Sequence, residues 1–167
     1  MNEINRSVLY HEAGHAIIAR RLGIKIKKIV IGHNKKENRD GYVETVLSLD
    51  PMEILISIAS RCCMNSFLNE ARRSVAGYAS ELVFAPKRAK KDLSATDFEK
   101  AEMYRAKALL SRPIYVHRKK VPEVKVILEE VKEMLCEPKT RAELFKLARA
   151  LVRRREMTGE EIEKLLR

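Results

Sequence analysis

Two histidines with a glutamate beside the first lie near the start of the chain, where residues 10–15 read YHEAGH. On a helix, residues four apart lie one turn apart on the same face, so the imidazole rings of His11 and His15 can point at one ion. Imidazole nitrogen is a common ligand of zinc, which takes four ligands in a tetrahedron. The spacing therefore predicts two ligands of a metal site on one helix.

Glu12 lies about 100° around the same helix from His11, where its carboxylate can reach a water without binding the ion. A metal ion lowers the pKa of such a water and polarises a carbonyl, and a nearby carboxylate can take the proton. The pattern therefore predicts metal-dependent hydrolysis, with Glu12 as general base. The alternative is a pair of half-buried helix histidines beside a surface glutamate, because this short pattern also arises by chance.

The third ligand has to come from elsewhere in the chain. Asp97 is the leading candidate, and four other residues can be compared with it. Glu70 lies on a predicted helix, but the gap from His15 is long for a helical zinc site. His33 in a polar loop and His117 beside a basic run are interpreted as solvent-facing. Asp92 lies in a basic linker and is a weaker choice than Asp97.

Asp97 opens a predicted helix that reads SATDFEKAEMYRAKAL. The linker before it can fold back over the first helix, which makes Asp97 the favoured third ligand. Glu81 has two interpretations, since it either orients a ligand histidine through its carboxylate or only completes a helix face.

Hydrophobic periodicity predicts a mainly α fold with a small β-hairpin next to the metal helix. The predicted helices cover residues 3–22, 51–85, 96–110, 122–136, 140–155 and 159–166, and the second is expected to break near residues 65–69 or at Gly77. Residues 24–32 and 42–49 are predicted as antiparallel strands, joined by the polar segment 32–41. Within the first helix, Ala13 and Gly14 leave room for another backbone to approach. The spacing of Thr158 and Glu161 is typical of a helix capping box.

Composition limits the class of protein and of partner. A chain of 167 residues with 46% hydrophobic and 34% charged residues fits one soluble domain. Its net charge of +11 attracts anionic partners, but the basic clusters are scattered and are not interleaved with aromatic residues. Nucleic-acid binding is therefore the least favoured hypothesis, and no partner follows from charge alone.

The three cysteines do not form the framework of a disulfide-rich secreted protein. The N-terminal residues lack the pattern of a signal peptide, and no apolar run has the length of a membrane span. These features predict a cytoplasmic protein without membrane association.

Four segments resemble, in order, the peptidase domain of the FtsH-type ATP-dependent zinc proteases. They read YHEAGHAIIA, VAGYASELVF, SATDFEKAEMYRAKAL and LVRRREMTGEEIEKLL. The resemblance implies a single peptidase domain over residues 1–167, with a metal-site part at 1–110 and a helical part at 111–167. Carried over by motif, it implies Zn²⁺ on His11, His15 and Asp97, with Glu12 as the catalytic base.

The sequence also departs from that family. These residues contain no Gly-x-x-x-x-Gly-Lys-Ser/Thr phosphate loop and no membrane anchor, and LSAT stands where the family has a glycine-rich approach to the aspartate. The segment around Glu81 is one residue shorter than the family's two-glutamate version, and basic Arg153 to Arg155 replace an acidic stretch.

The expected activity is that of a zinc metalloendopeptidase acting on unfolded or short polypeptides without its own ATPase, or on substrates that an external ATPase or unfoldase delivers. The rival hypotheses are a catalytically silent zinc-binding adaptor or regulator and a basic nucleic-acid-binding protein. The hairpin strand at residues 42–47 either borders the cleft and pairs with an extended peptide or is only structural. Oligomeric state stays open, as does the metal, because cobalt or iron also suits a site of two histidines and an aspartate.

Overall fold

The computed structural model describes residues 6–34, 39–46, 64–89, 94–111 and 121–167. In chain order, the described elements are α1 (Arg6–Arg21), β1 (Ile26–Asn34), β2 (Arg39–Thr45), α2 (Met64–Phe84), α3 (Ala95–Leu110), α4 (Val124–Cys136), α5 (Pro138–Arg154), β3 (Glu156–Thr158) and α6 (Gly159–Leu166). The fold is mainly helical with a small antiparallel sheet, which confirms the predicted class.

Helix α2 is the centre of the helical layer, since α1, α3 and α4 all pack against it. Helix α1 lies between α2 and the sheet, and also contacts α5. Helices α1 and α2 come close together at Gly14, where a Cβ would lie 2.5 Å from the Cβ of Ser80 and 2.7 Å from the carbonyl oxygen of Ala76. The predicted approach of another backbone at Gly14 is confirmed, and it brings the histidine face of α1 onto α2.

The sheet has the order β2-β1-β3, with antiparallel pairing on both sides of β1. Ile29 on β1 faces Val43 on β2 and Met157 on β3 in this register, and Ile29 and Met157 are almost fully buried. The sheet thereby covers the side of α1 that α2 leaves open, because both β1 and β2 contact α1.

The predicted hairpin is confirmed, but its boundaries were wrong. Strand β1 continues to Asn34 and β2 already begins at Arg39, so most of the predicted polar loop belongs to strands. The cause is that backbone groups form the ladder, which pairs Ile31 with Gly41 and Asn34 with Arg39 whatever the polarity of the side chains. Residues 47–49 of the predicted second strand lie outside the described residues.

Strand β3 was not predicted. The helix expected to run to residue 155 ends at Arg154, and Arg155 adopts a left-handed conformation with φ 59° that turns the chain into β3. Three residues are too few for a periodic pattern, although buried Met157 between exposed Glu156 and Thr158 has the alternation of a strand. The capping box of Thr158 and Glu161 at the start of α6 is confirmed.

Helix α2 runs unbroken from Met64 to Phe84, so the predicted break near residues 65–69 or at Gly77 is wrong in this part. A glycine inside a helix costs only about 1 kcal/mol relative to alanine, and packing against three helices outweighs that cost. Residues 51–63 of the predicted helix lie outside the described residues. None of the described helices combines the length and the apolar character that a bilayer crossing requires.

Replacing Gly14 by alanine tests the contact between α1 and α2. Helix propensity alone would raise the free energy of unfolding by about 1 kcal/mol, whereas overpacking against Ala76 and Ser80 costs about 1–3 kcal/mol. We expect Gly14→Ala to lower the free energy of unfolding in urea. As a control, Ser66→Ala on the exposed face of α2 should change it by less than about 0.5 kcal/mol. A Gly14→Ala variant more stable than the wild type would contradict the close approach.

Candidate metal centre

Three side chains from two helices that are distant in sequence converge beside α2. His11 and His15 come from α1, and Asp97 comes from the first turn of α3. The Nε2 atoms of the two histidines lie 3.1 Å apart, and Oδ2 of Asp97 lies 3.1 Å from Nε2 of His11 and 3.4 Å from Nε2 of His15. Tetrahedral ligands about 2.0 Å from a zinc ion lie roughly 3.3 Å apart. The group formed by the three side chains can hold a metal ion.

The other ring nitrogen of each histidine is held by α2. Nδ1 of His15 donates a hydrogen bond to the carbonyl oxygen of Arg73 at 2.8 Å. Nδ1 of His11 donates to Oε1 of Glu81 at 2.6 Å. A hydrogen bond from Nδ1 fixes the ring and turns Nε2 toward a ligand position, as in histidines that bind metals. Both Nε2 atoms therefore point at one place.

Glu81 makes the orienting contact that the sequence left as one of two interpretations. Its side chain is buried, and among the described residues its Oε2 has no hydrogen-bond partner. Burying a carboxylate is costly unless it is paired, and the bond to His11 supplies the pairing. The contact explains why a charged residue occupies this buried position on α2.

The electrostatics of the group favour a cation. Burial lowers the pKa of His11, but hydrogen bonds with Asp97 and Glu81, together with the charge of Glu12, outweigh burial and raise it to about 10. For Asp97, burial raises the pKa, while hydrogen bonds with His11 and His15 outweigh burial and hold it far below its usual range. The same negative field that favours a proton on His11 also favours a metal cation at this point.

Gly77 leaves the space in which the two imidazoles meet. A Cβ at this position would lie 2.5 Å from Nε2 of both His11 and His15. Any side chain on residue 77 would therefore occupy the place where the ligand atoms converge. Sequence reasoning interpreted Gly77 as a helix break and missed this role. The sequence feature that could have indicated this role is a glycine among small residues in the run VAGYAS.

Glu12 is buried, which contradicts the alternative of a surface glutamate. It lies against the sheet, because a Cβ on Gly41 of β2 would be 2.8 Å from Cγ and 3.1 Å from Oε1 of Glu12. Its charge also reaches His11, whose pKa it helps to raise. The structure thus brings a buried carboxylate to the border between the metal-ligating group and strand β2.

Among the weaker ligand candidates, the described side chain is that of Glu70, which pairs with Arg73 instead of joining the group. Glu70 lies on α2, where its Oε2 accepts a hydrogen bond from Nε of Arg73 at 2.7 Å. His33 belongs to β1, but its side chain lies outside the description, and His117 and Asp92 lie outside the described residues.

No protein-family model matches the chain, and no curated protein matches it. The resemblance to FtsH-type peptidases therefore stays a prediction that rests on the four segments themselves.

Replacing Asp97 by alanine tests the ligand set. Two imidazoles would remain, and we expect the zinc affinity to fall by more than the roughly 10- to 100-fold that the loss of an outer partner costs. The measurement is zinc per chain by elemental analysis, followed by competition with a chelating dye. Glu99→Ala, an exposed change on the same helix, should bind zinc as the wild type does. If Asp97→Ala binds zinc with the wild-type affinity, Asp97 is not a ligand of the metal.

Replacing Gly77 by alanine tests the space between the histidines. The added methyl group would collide with Nε2 of both rings, so we expect zinc affinity to fall at least about tenfold. The helix itself should not suffer, because alanine is the better helix former by about 1 kcal/mol. Ser66→Ala, an exposed change on α2, is the control for zinc affinity and for the circular dichroism spectrum. Unchanged zinc binding in Gly77→Ala would contradict the placement of the rings.

Proposed function

We propose that the protein is a zinc-dependent metalloendopeptidase that hydrolyses peptide bonds of unfolded or short polypeptides. The observation that carries the proposal is the convergence of His11, His15 and Asp97 with the buried carboxylate of Glu12 nearby. Structural zinc sites use four protein ligands, whereas catalytic sites use three and keep one position open. A group of two imidazoles and one carboxylate has the composition of the second kind.

His11, His15 and Asp97 would hold the ion, each through the atom that faces the other two. Zinc, when bound, supplies a Lewis acid that lowers the pKa of a water and polarises a carbonyl. Glu81 and the backbone of Arg73 keep the imidazoles oriented through their Nδ1 atoms. We propose zinc rather than cobalt or iron as the resident metal, although all three accept these donors.

Glu12 is proposed as the group that moves the proton. Its carboxylate would accept a proton from the attacking water and then donate it to the leaving amine nitrogen, the two halves of general acid–base catalysis. Burial against Gly41 supports this role, because the contact limits the positions that the carboxylate can adopt. A fixed carboxylate beside the metal group costs less reorganisation during proton transfer than a mobile one.

Strand β2 supports an extended polypeptide as substrate. Within the described sheet, β2 pairs only with β1, and its outer edge has no neighbouring strand. An extended peptide can pair with such an edge through main-chain hydrogen bonds, which a folded chain cannot offer. Because Gly41 of β2 lies against Glu12, a peptide bound there would lie near the proposed base. We also propose that an external ATPase or unfoldase can deliver unfolded chains to this edge.

Replacing Glu12 by glutamine tests the mechanism. Glutamine keeps the size of the side chain but cannot accept the proton, so we expect casein cleavage to fall at least about 100-fold. Zinc content should stay that of the wild type, since Glu12 is not among the three ligating residues. Glu99→Gln, the same chemical change at an exposed position on α3, should cleave casein at the wild-type rate.

Three outcomes contradict the proposal in different ways. Cleavage at the wild-type rate in Glu12→Gln would remove Glu12 as the base. A wild-type protein loaded with zinc that cleaves neither casein nor short peptides would favour the adaptor or regulator. A zinc-free wild type that binds DNA or RNA with a steep salt dependence would favour the nucleic-acid-binding hypothesis.

A further inference from the structure

A cleft of about 270 Å³ lies between α1 and α5, away from the metal-ligating group. Its apolar wall includes Leu9 and Tyr10 from α1 and Phe145 and Val152 from α5. At 100° per residue, Leu9 and Tyr10 lie on the side of α1 roughly opposite to His15. The cleft is therefore a second feature of α1, separate from the proposed active site.

Two rings that line the cleft, Tyr10 and Phe145, belong to a cluster of three aromatic rings with Phe84. The ring of Phe145 meets Tyr10 edge-on, with centroids 6.1 Å apart, and meets Phe84 edge-on at 5.2 Å. Tyr10 and Phe84 are 5.8 Å apart. Rings packed in this way form a fixed surface, and Val152 beside them is 51% exposed. An apolar side chain placed here would cover apolar surface that water now contacts.

The rim of the cleft is basic. Arg6 and Arg149 line it, and the guanidinium of Arg141 lies 5.6 Å from the centroid of the Phe145 ring. No carboxylate lines the cleft, and none of these three arginines has an ion pair among the described residues. Arg154 on the same helix, by contrast, pairs with Glu161 at 3.1 Å. The three guanidiniums that lack an ion pair among the described residues therefore lie beside exposed apolar surface.

We propose that this cleft is a docking site for a segment of a partner protein that carries one apolar side chain flanked by carboxylates. Its volume is below the roughly 300–1,000 Å³ of small-molecule sites, which suits a single side chain. The arginines supply donors that match carboxylates in geometry and charge. Binding at this site does not depend on the metal centre, so its failure and that of the proposed peptidase activity are separate results.

The test uses a fluorescein-labelled peptide with a leucine between two Asp-Glu pairs, and fluorescence anisotropy measures its affinity. We expect Arg149→Glu to weaken binding at least about fivefold, since the change replaces an attraction with a repulsion. Lys146→Glu is the matched control, because Lys146 is exposed on the same helix and does not line the cleft. The control should change the affinity by less than about twofold.

A second pair of measurements tests the apolar part. Val152→Asn, an uncharged polar change at an exposed position in the wall of the cleft, should weaken peptide binding at least about fivefold, and so should replacing the leucine of the peptide by serine. Mass spectrometry verifies that the peptide stays intact, so that cleavage does not pass for weak binding.

Equal losses in Arg149→Glu and Lys146→Glu would show only general attraction to a basic protein and would overturn the proposal. Equal affinity for the leucine and serine peptides would also overturn it, because no apolar side chain would then be taken up. Binding of a fatty acid such as dodecanoate without binding of the peptide would assign the cleft to lipid instead.

Discussion

The close approach of α1 to α2 is the constraint on which the site depends. Gly14 allows it, since a side chain there would strike the backbone of Ala76 and the side chain of Ser80. At this separation His15 reaches the carbonyl oxygen of Arg73, and His11 reaches the carboxylate of Glu81. A wider helix pair would lengthen both hydrogen bonds and release both rings. The orientation of the imidazoles is thus a consequence of backbone packing, and the aspartate from α3 completes what that packing begins.

The local charge of the site is opposite in sign to the net charge of the molecule. The chain carries a net charge of +11, yet Glu12, Glu81 and Asp97 gather around two imidazoles in a region that is largely removed from solvent. Buried carboxylates are tolerated only where cations or hydrogen-bond donors compensate them. One protonated imidazole compensates a single charge, whereas a divalent ion would compensate two. A bound divalent cation at His11, His15 and Asp97 would therefore offset more of this negative charge than one proton does.

Some of this site follows from the sequence, and the rest depends on contacts that no local pattern encodes. The spacing of His11 and His15 predicts a shared face because periodicity describes a single helix completely. Periodicity gives no information about how α3 contacts α1. The role of Asp97 as third ligand was therefore predicted from the resemblance and from a comparison of candidate residues. Glu81 stayed ambiguous for the same reason, since its partner is on another helix. The mainly helical fold was predictable because most helices are long, whereas β3 has three residues and depends on pairing with β1.

Gly77 illustrates why local rules fail at such a site. Glycine lowers helix propensity, and a reading of one segment alone treats it as a break. In the folded chain its missing side chain is the space in which Nε2 of His11 and Nε2 of His15 converge. The helical geometry at this position is maintained by the neighbours of α2 rather than by the residue itself. A local departure from the best helix former therefore coincides with the proposed functional centre, as expected where function rather than stability selects a residue.

The two sides of α1 also restrict how the cleft and the metal centre can be related. Tyr10 precedes His11 on α1, and Phe84 follows Glu81 by about one helical turn on α2, so two rings of the aromatic cluster lie on the helices that carry His11 and its partner Glu81. Coupling between two sites requires an element with two discrete arrangements. The close approach at Gly14 seats the backbone of α1 against Ala76 and Ser80 of α2. A partner docked in the cleft would lie on the helix that carries His11 and His15, so we propose that docking brings a chain to the proposed peptidase site rather than switching its chemistry.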